Sequence, residues 1–298
     1  MNRNSLSLGK RLKALGHNIF YLVMRLFGHR GGMALLHFVV LVYVTFSAGI
    51  HRATRPYFRR RFPDHGPFAL WLDTFRNIMS FGRVLVDRGW LGVNPEAELK
   101  GCFTGYGKIK ELMDQGKGAV LMLAHVGNWQ TALAGLEEMP VKVHALMQYD
   151  MQEVSKHYFD LRGGGCPFHI ISTDSEFGGM IEAATALGKG EFVTVMGDRF
   201  VKGPAAEVEF LGDTARFPAS SYMLAACAGV PVVILFAARI GDREYELRVM
   251  DMFRPEYRGR DERQAMLLES AGKFSSALEK YLSIYPYQWY NFYDFWKK

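Results

Sequence analysis

Short apolar runs recur along the chain from Ala119 onward, and longer windows with helically spaced apolar positions separate several of them. Buried strands are predicted at Ala119–Ala124, Val141–Leu146, Phe168–Ile171, Phe192–Met196, Val208–Leu211, Val232–Ala237 and Tyr245–Met250. Helices are predicted at Trp129–Glu138, Met151–Leu161, Glu176–Leu187, Pro218–Ala228 and Asp261–Tyr285. Because strands and helices alternate, the pattern predicts an α/β fold with a mixed, largely parallel sheet flanked by helices.

The N-terminal part of the chain differs, because two apolar stretches, Ala14–Phe27 and Met33–Gly49, lie among basic residues without any acidic residue. A helix that crosses the hydrocarbon core needs about 20 apolar residues, so Met33–Gly49 is short for a span. We predict hydrophobic helices that lie in, or dip into, the cytoplasmic leaflet. The alternative is a buried hairpin that caps the core. The joint Pro63–Pro67 divides a membrane-associating segment, residues 1–62, from an α/β domain, residues 63–298.

Composition limits the class of protein further. The 298 residues are 49% hydrophobic and 22% charged, which permits a large core and excludes a disordered or fibrous chain. A formal charge of +6 suits an anionic membrane surface or an acidic partner, and no nucleic-acid binding is expected. Cys102, Cys166 and Cys227 are too few and too scattered for a disulfide framework or a zinc site, so a reducing compartment and no metal are predicted.

Candidate chemistry follows the first predicted strand. In largely parallel sheets, ligands bind beyond the carboxyl ends of the strands, and His125 comes directly after Ala119–Ala124. Gly127 permits a sharp turn, and Asn128 can cap the next helix. Histidine is well suited to removing a proton near neutral pH, so His125 is a candidate general base. The alternative is a histidine satisfied by local backbone groups.

Several short blocks carry a more specific pattern through their order. They are His125-Val126-Gly127-Asn128-Trp129-Gln130, Gly190–Arg199, Phe210-Leu211-Gly212 with Phe217-Pro218, Val230-Pro231-Val232-Val233 and Tyr285–Phe292. In this order they resemble the lysophospholipid acyltransferase superfamily, in its bacterial lipid A biosynthesis acyltransferase-like branch. The branch often carries His-x-Gly-Asn-Trp-Glu, which the chain follows except at Gln130.

The resemblance implies roles for residues in the first three of these blocks. His125 would be the general base, and the family acid that normally orients it is replaced by Gln130, whose carbonyl accepts a hydrogen bond but carries no charge. Asp198 could supply the missing carboxylate if the fold brings it near His125. Arg199 would bind a phosphate or a phosphopantetheine, or else pair with Asp198. The predicted substrate-binding residues are Asn128, Trp129, Arg199, Gly212 and Phe217.

The implied function is acyl transfer at the cytoplasmic face of the inner membrane. The donor would be a thioester of acyl carrier protein or of coenzyme A, and the acceptor a lipid or lipid A-like molecule, with no metal or organic cofactor. Because the phospholipid enzymes usually have a glutamate at the position of Ala219, a saccharolipid acceptor is favoured. Two alternatives stay open: aminoacyl transfer to a lipid A-like acceptor, and a catalytically silent lipid- or carrier-binding protein.

Three other features invite a functional interpretation. His169 and Asp174 have the spacing of the family signature, but a predicted strand places side chains five apart on opposite faces, so a catalytic pair is not expected. Gly163–Gly165 with Cys166 is interpreted as a flexible bend, because no following Lys-Ser/Thr or positioned base accompanies it. The aromatic tail, Tyr287–Trp296, could line an acyl pocket, lie at the lipid interface, or pack in the core.

Overall fold

The computed structural model describes residues 8–129, 139–148, 169–174, 176–200, 203–257 and 259–297, with side chains from residue 16 onward except at Glu176. Its strands are β1 (Lys100–Thr104), β2 (Ala119–Leu123), β3 (Val143–Met147), β4 (His169–Ser172), β5 (Phe192–Met196), β6 (Ala205–Phe210), β7 (Asp213–Pro218), β8 (Val232–Gly241) and β9 (Glu244–Phe253). The predicted helices Met151–Leu161 and Trp129–Glu138, apart from Trp129 itself, lie outside the described residues, as do Gly163–Gly165 and Cys166.

The main sheet has seven strands in the spatial order β1-β9-β8-β2-β5-β3-β4. Every neighbouring pair is parallel except β8 and β9, which are antiparallel. The predicted fold, a mixed and largely parallel sheet flanked by helices, is therefore confirmed. Parallel pairing brings the carboxyl ends of β2 and β5, which are adjacent, to the same edge of the sheet.

The strand prediction missed β1 and β7 and covered only part of β6. Val208–Leu211 contributes to β6, which pairs with β7 in a separate hairpin and not with the main sheet. The hairpin turns at Leu211 and Gly212, whose φ angles are +51° and +82°. The edge strand β1 carries no apolar run, because only Phe103 is partly buried in it, so hydrophobic periodicity did not reveal it.

The helices are α1 (Leu8–Phe46), α2 (Ala48–Arg61), α3 (Pro67–Val93), α4 (Tyr106–Asp114), α5 (Met180–Gly188), α6 (Ser220–Ala228) and α7 (Arg263–Ile284). A short 3-10 turn at Glu176–Gly179 precedes α5. Neither α3 nor α4 was predicted from the sequence. Pro67 at the first position of α3 has the fixed backbone angle that suits a helix start, so the joint Pro63–Pro67 both ends α2 and begins α3.

Both faces of β2 are covered. Val120 and Met122 belong to the larger core, to which α5, α6, α7 and the C-terminal tail contribute. Leu121 and Leu123 belong to a second core on the other face, where α4 packs. Because successive strand side chains point to opposite faces, a strand between two cores is apolar at every position. This arrangement explains the unbroken apolar run that ends just before His125.

The N-terminal apolar stretches, as far as Phe46, form one helix, α1, which is kinked at Gly28. One side of α1 packs on α3, and Leu36, Val40 and Ile78 belong to the buried cluster between the two helices. The opposite side leaves large apolar side chains in solvent, including Phe38 at 66% and Phe46 at 81% exposure. Residues 16–46 are long and apolar enough to cross a membrane by length and composition. An exposed apolar face of this kind indicates membrane association.

We expect Phe27→Ser/Phe38→Ser/Phe46→Ser to weaken binding to anionic vesicles at least about tenfold, since burying each phenylalanine contributes about 1.5–3 kcal/mol. Sedimentation of purified protein with vesicles measures the bound fraction. The matched control is Phe177→Ser/Ile181→Ser, which removes exposed apolar side chains from the α/β domain. Equal binding by the two variants would contradict a membrane-facing α1.

A buried polar cluster joins the N-terminal helices to the sheet. The Asp87 carboxylate on α3 is fully buried, and it accepts hydrogen bonds from Arg239 Nε at 2.9 Å and from the Tyr245 hydroxyl at 2.5 Å. His29 Nε2, one residue after the kink in α1, lies 2.6 Å from Asp87 Oδ1. Burial raises the pKa of Asp87, but these hydrogen bonds and the charge of Arg239 outweigh burial and leave that pKa below its ordinary value.

We expect Asp87→Asn to lower the free energy of unfolding by about 3 kcal/mol or more, because it leaves the Arg239 guanidinium without its buried counter-charge. Thermal unfolding measures the change. In the wild type, the unfolded chain binds a proton at Asp87 near the ordinary pKa of 3.8 while the folded chain still does not. The contribution of Asp87 to the free energy of unfolding is therefore fully present above pH 3.8 and decreases as the pH falls below it. An acid-side loss of stability as steep in Asp87→Asn as in the wild type would contradict this account.

Candidate active site

His125 lies in a tight loop directly beyond β2. Gly127 has a φ of +49°, and a Cβ atom at this position would lie 2.1 Å from the Ala237 carbonyl oxygen, so only glycine fits. The C-terminal tail pairs with the loop: the Gly127 N–H donates to the Gln288 carbonyl at 3.0 Å, and the Tyr290 N–H donates to the His125 carbonyl at 2.8 Å. The backbone around His125 is thus fixed from two sides.

Asp198 follows β5 and meets His125 at the shared strand edge. The His125 Nδ1 and Asp198 Oδ1 atoms are 2.8 Å apart. The other carboxylate oxygen, Oδ2, accepts hydrogen bonds from the His125 backbone N–H at 2.8 Å and from Trp289 Nε1 at 2.9 Å. The Asp198 side chain is 1% exposed, whereas the His125 side chain is 20% exposed. The pair therefore has a buried acid and an imidazole that reaches the surface.

Asp198 is held in its ionised form. Burial raises the pKa of this carboxyl, but the charge of His125 and the hydrogen bonds from His125 and Trp289 outweigh burial and leave the pKa below its ordinary value. A carboxylate facing Nδ1 favours the tautomer with the proton on that nitrogen, so Nε2 is then the acceptor nitrogen of a neutral imidazole. This is the arrangement that a histidine general base requires.

The neighbouring predicted residues occupy different environments. Asn128 is buried next to the loop, and the Trp129 ring meets the His125 ring edge-on at a centroid distance of 5.9 Å. Arg199 is exposed, and its guanidinium lies 5.6 Å from the centre of the Tyr293 ring. The contacts described for the Asp198 carboxylate are with His125 and Trp289. Gln130 lies outside the described residues.

The remaining two predicted substrate-binding residues are in the hairpin. Gly212 is at its turn, where a Cβ atom would meet no atom within 4 Å. Phe217 is fully buried and packs edge-on against Phe210 and Phe274 in the main core. Gly212 therefore lies at a turn and Phe217 lies in the core. Substrate contact by either residue stays a prediction.

The structure also shows where His169 and the terminal aromatic residues lie. His169 is at the start of β4, and its Nε2 atom lies 3.2 Å from Glu182 Oε1, in an exposed pair. Of the terminal aromatic residues, Trp289 and Phe295 are buried in the main core. Tyr290 is buried in a different cluster, with Val84 and Tyr245. Among the described residues, no group of three or more His, Cys, Asp or Glu side chains is placed to hold a metal ion.

Sequence reasoning assigned no role to the residues that support the pair. The Gln288 side chain makes two hydrogen bonds with the backbone of Arg239. It accepts from the Arg239 N–H and donates to the Arg239 carbonyl, both at 2.8 Å. Asn77 on α3 donates to the Trp289 carbonyl at 2.9 Å. The Tyr57 ring of α2 meets the Trp289 ring at 5.0 Å. The N-terminal helices therefore help to position the tail, and the tail positions Asp198.

Comparison with known families covers the part of the chain that contains these residues. The family model of bacterial lipid A biosynthesis acyltransferases matches residues 75–298. The chain belongs to this family. The match begins within α3 and continues through β2, β5 and the tail, so both members of the His125–Asp198 pair lie inside it. No curated protein matches the chain. Membership of the family makes the protein an acyltransferase that acts on lipid A-like substrates.

Proposed function

We propose that the protein is a membrane-associated acyltransferase that moves an acyl group from a thioester to a lipid or lipid A-like acceptor, with His125 as the general base. The observation that carries the proposal is the hydrogen-bonded pair of His125 and Asp198 at the carboxyl ends of two adjacent parallel strands. Family membership supports the same reaction class. Residues 63–298 would form the catalytic domain, and residues 1–62 the membrane-associating segment.

The proposed reaction is a proton-assisted acyl substitution. Nε2 of His125 takes the proton of the acceptor hydroxyl or amine as the acceptor oxygen or nitrogen attacks the thioester carbonyl carbon. The tetrahedral intermediate then collapses, the carbon–sulfur bond breaks, and the imidazolium returns the proton to the departing sulfur. The products are an acylated lipid and a free thiol. Throughout, Asp198 stays ionised and stabilises the positive charge on His125.

In this proposal, Asp198 orients His125 and balances its charge. In the family, this is the role of the acid that follows the histidine in the sequence. Gln130 occupies that sequence position and carries no charge. Asp198 is a buried carboxylate, and three hydrogen bonds from His125 and Trp289 define its orientation. An amide cannot balance the positive charge that develops on the imidazole. The Asp198 carboxylate supplies that negative charge, so the proposed acyl transfer does not depend on an acid at position 130.

The proposed donor is an acyl carrier protein, with coenzyme A as the alternative. An acidic carrier suits a chain with a formal charge of +6, and the exposed Arg199, which follows Asp198, has the planar donor set that binds phosphate oxygens. The basic N-terminal segment suits the anionic cytoplasmic leaflet, so we place the reaction on that face of the inner membrane.

Acyl transfer by the purified full chain in mild detergent tests the proposal. Labelled fatty acyl and aminoacyl thioesters of acyl carrier protein and of coenzyme A are each incubated with a bacterial lipid extract. The lipid products are resolved by mass. We expect a labelled lipid heavier by one fatty acyl group. A mass increase of one amino acid, with aminoacyl donors only, would replace fatty acyl transfer by aminoacyl transfer. Transfer from neither kind of donor would favour the lipid- or carrier-binding alternative that Gln130 leaves open.

A further inference from the structure

An apolar cavity of about 470 Å³ lies between α1 and α3, away from His125 and Asp198. It extends along both limbs of the kinked α1, from Gly16 to Tyr43, and along α3 from Ile78 to Gly89. The α3 wall of the cavity includes Gly82 and Gly89, against which Leu36 and Met24 of α1 pack. Its volume is in the range of about 300–1,000 Å³ that small-molecule pockets have in proteins.

The cavity communicates with the exposed apolar face of α1. Val39 and Tyr43 line it and are also exposed, at 39% and 47%. A molecule in the surrounding bilayer could therefore enter sideways, without passing through water. The exposed neighbours Phe38 and Val42 on the same helix continue this apolar surface.

One end of the cavity is basic. Arg88, near the end of α3, and His17, near the start of α1, both line it. Arg88 is almost buried, at 8% exposure, so its charge acts in a largely apolar setting. Apolar walls with a cation at one end fit a molecule that has a hydrocarbon chain and an anionic headgroup.

We propose that this cavity binds one acyl chain of an anionic membrane phospholipid, with the phosphate at the Arg88 end. None of its lining residues belongs to the candidate active site, and α3 with the Asp87 cluster lies between the cavity and the sheet. The bound lipid is therefore a structural or regulatory partner and not the acyl acceptor. The inference does not rest on the proposed acyl transfer.

Photo-crosslinking of the full chain in phosphatidylglycerol nanodiscs tests this site. The probe is phosphatidylglycerol with a diazirine in one acyl chain, and labelled peptides are mapped by mass spectrometry. We expect labelling of peptides that contain Leu36–Tyr43 and Ile78–Gly89, and most of it should be lost in Val39→Trp, which fills the cavity. The matched control is Val42→Trp, which is similarly exposed on α1 but does not line the cavity, and should label like the wild type.

Arg88→Gln gives a second readout that does not depend on filling the cavity. We expect it to reduce the preference for phosphatidylglycerol over phosphatidylcholine probes about fivefold, as loss of one basic contact near a lipid headgroup predicts. Equal labelling of Val39→Trp and Val42→Trp would mean general bilayer contact only and would overturn the proposal. An unchanged lipid preference in Arg88→Gln would also overturn it, by removing the headgroup site.

Discussion

His125→Ala is expected to lower the rate of acyl transfer by about a hundred- to ten-thousandfold, because general base catalysis contributes that much in enzymes. The substitution removes the only group that the proposed mechanism uses to accept the acceptor proton. The imidazole is partly exposed beyond β2, so its loss does not open a cavity in either core. The measurement is the initial rate of labelled lipid formation from acyl carrier protein thioester.

His169→Ala is the matched control for this change. His169 also has a carboxylate neighbour, Glu182, and it has the family spacing to Asp174, but it is exposed at the start of β4. We expect the control to retain the wild-type rate, and both variants to unfold at about the wild-type temperature. A His125→Ala protein that folds and transfers acyl groups at the wild-type rate would refute the proposed base.

Asp198→Asn is expected to have the next largest effect, a loss of about a hundredfold or more in kcat with little change in KM. The amide would present an N–H to Nδ1 and favour the tautomer whose proton occupies Nε2, where the base must be free. In serine proteases the corresponding exchange lowers turnover about ten-thousandfold through the same change of tautomer. Because Trp289 and the His125 backbone still need an acceptor, the asparagine oxygen can turn toward them and preserve the fold.

The control for this exchange is Asp174→Asn, which changes the same side chain at an exposed position. Rates are measured at several pH values, since an orienting carboxylate affects the pH profile of kcat whereas a purely structural acid affects only the amount of folded protein. Wild-type kcat and an unchanged pH profile in Asp198→Asn would assign the orienting role to another group, with Gln130 as the next to be changed.

Much of the site was predictable because it follows from strand ends. Hydrophobic runs placed β2 and β5 almost to the residue, and the polar residues after each run were His125 and Asp198. Their contact also needed β2 and β5 to be adjacent, which depends on the order of strands in the sheet and not on local pattern. The sequence therefore supported the pair as a hypothesis, and the register of the two strands brought the side chains together.

The support around the pair was not predictable. Trp289 reaches Asp198 across 91 positions of the chain, and Gln288 binds the backbone of β8, so neither contact leaves a local periodic signal. The sequence left the tail as an acyl pocket, a lipid-interface segment or part of the core, and in the structure Trp289, Tyr290 and Phe295 are buried. The helix α3 was missed for a related reason, because its polar residues Asp73, Asn77 and Asp87 are buried in hydrogen-bonded contacts instead of facing solvent.

The central claim is that His125 and Asp198 act as one catalytic unit, and the double variant His125→Ala/Asp198→Asn tests it most directly. Acyl transfer from labelled carrier-protein thioester to lipid is measured for the wild type, both single variants and the double variant. Residues that act as a unit give strongly non-additive losses. We predict that the double variant is as slow as His125→Ala alone. Losses that multiply, or a wild type that transfers no label, would contradict the account.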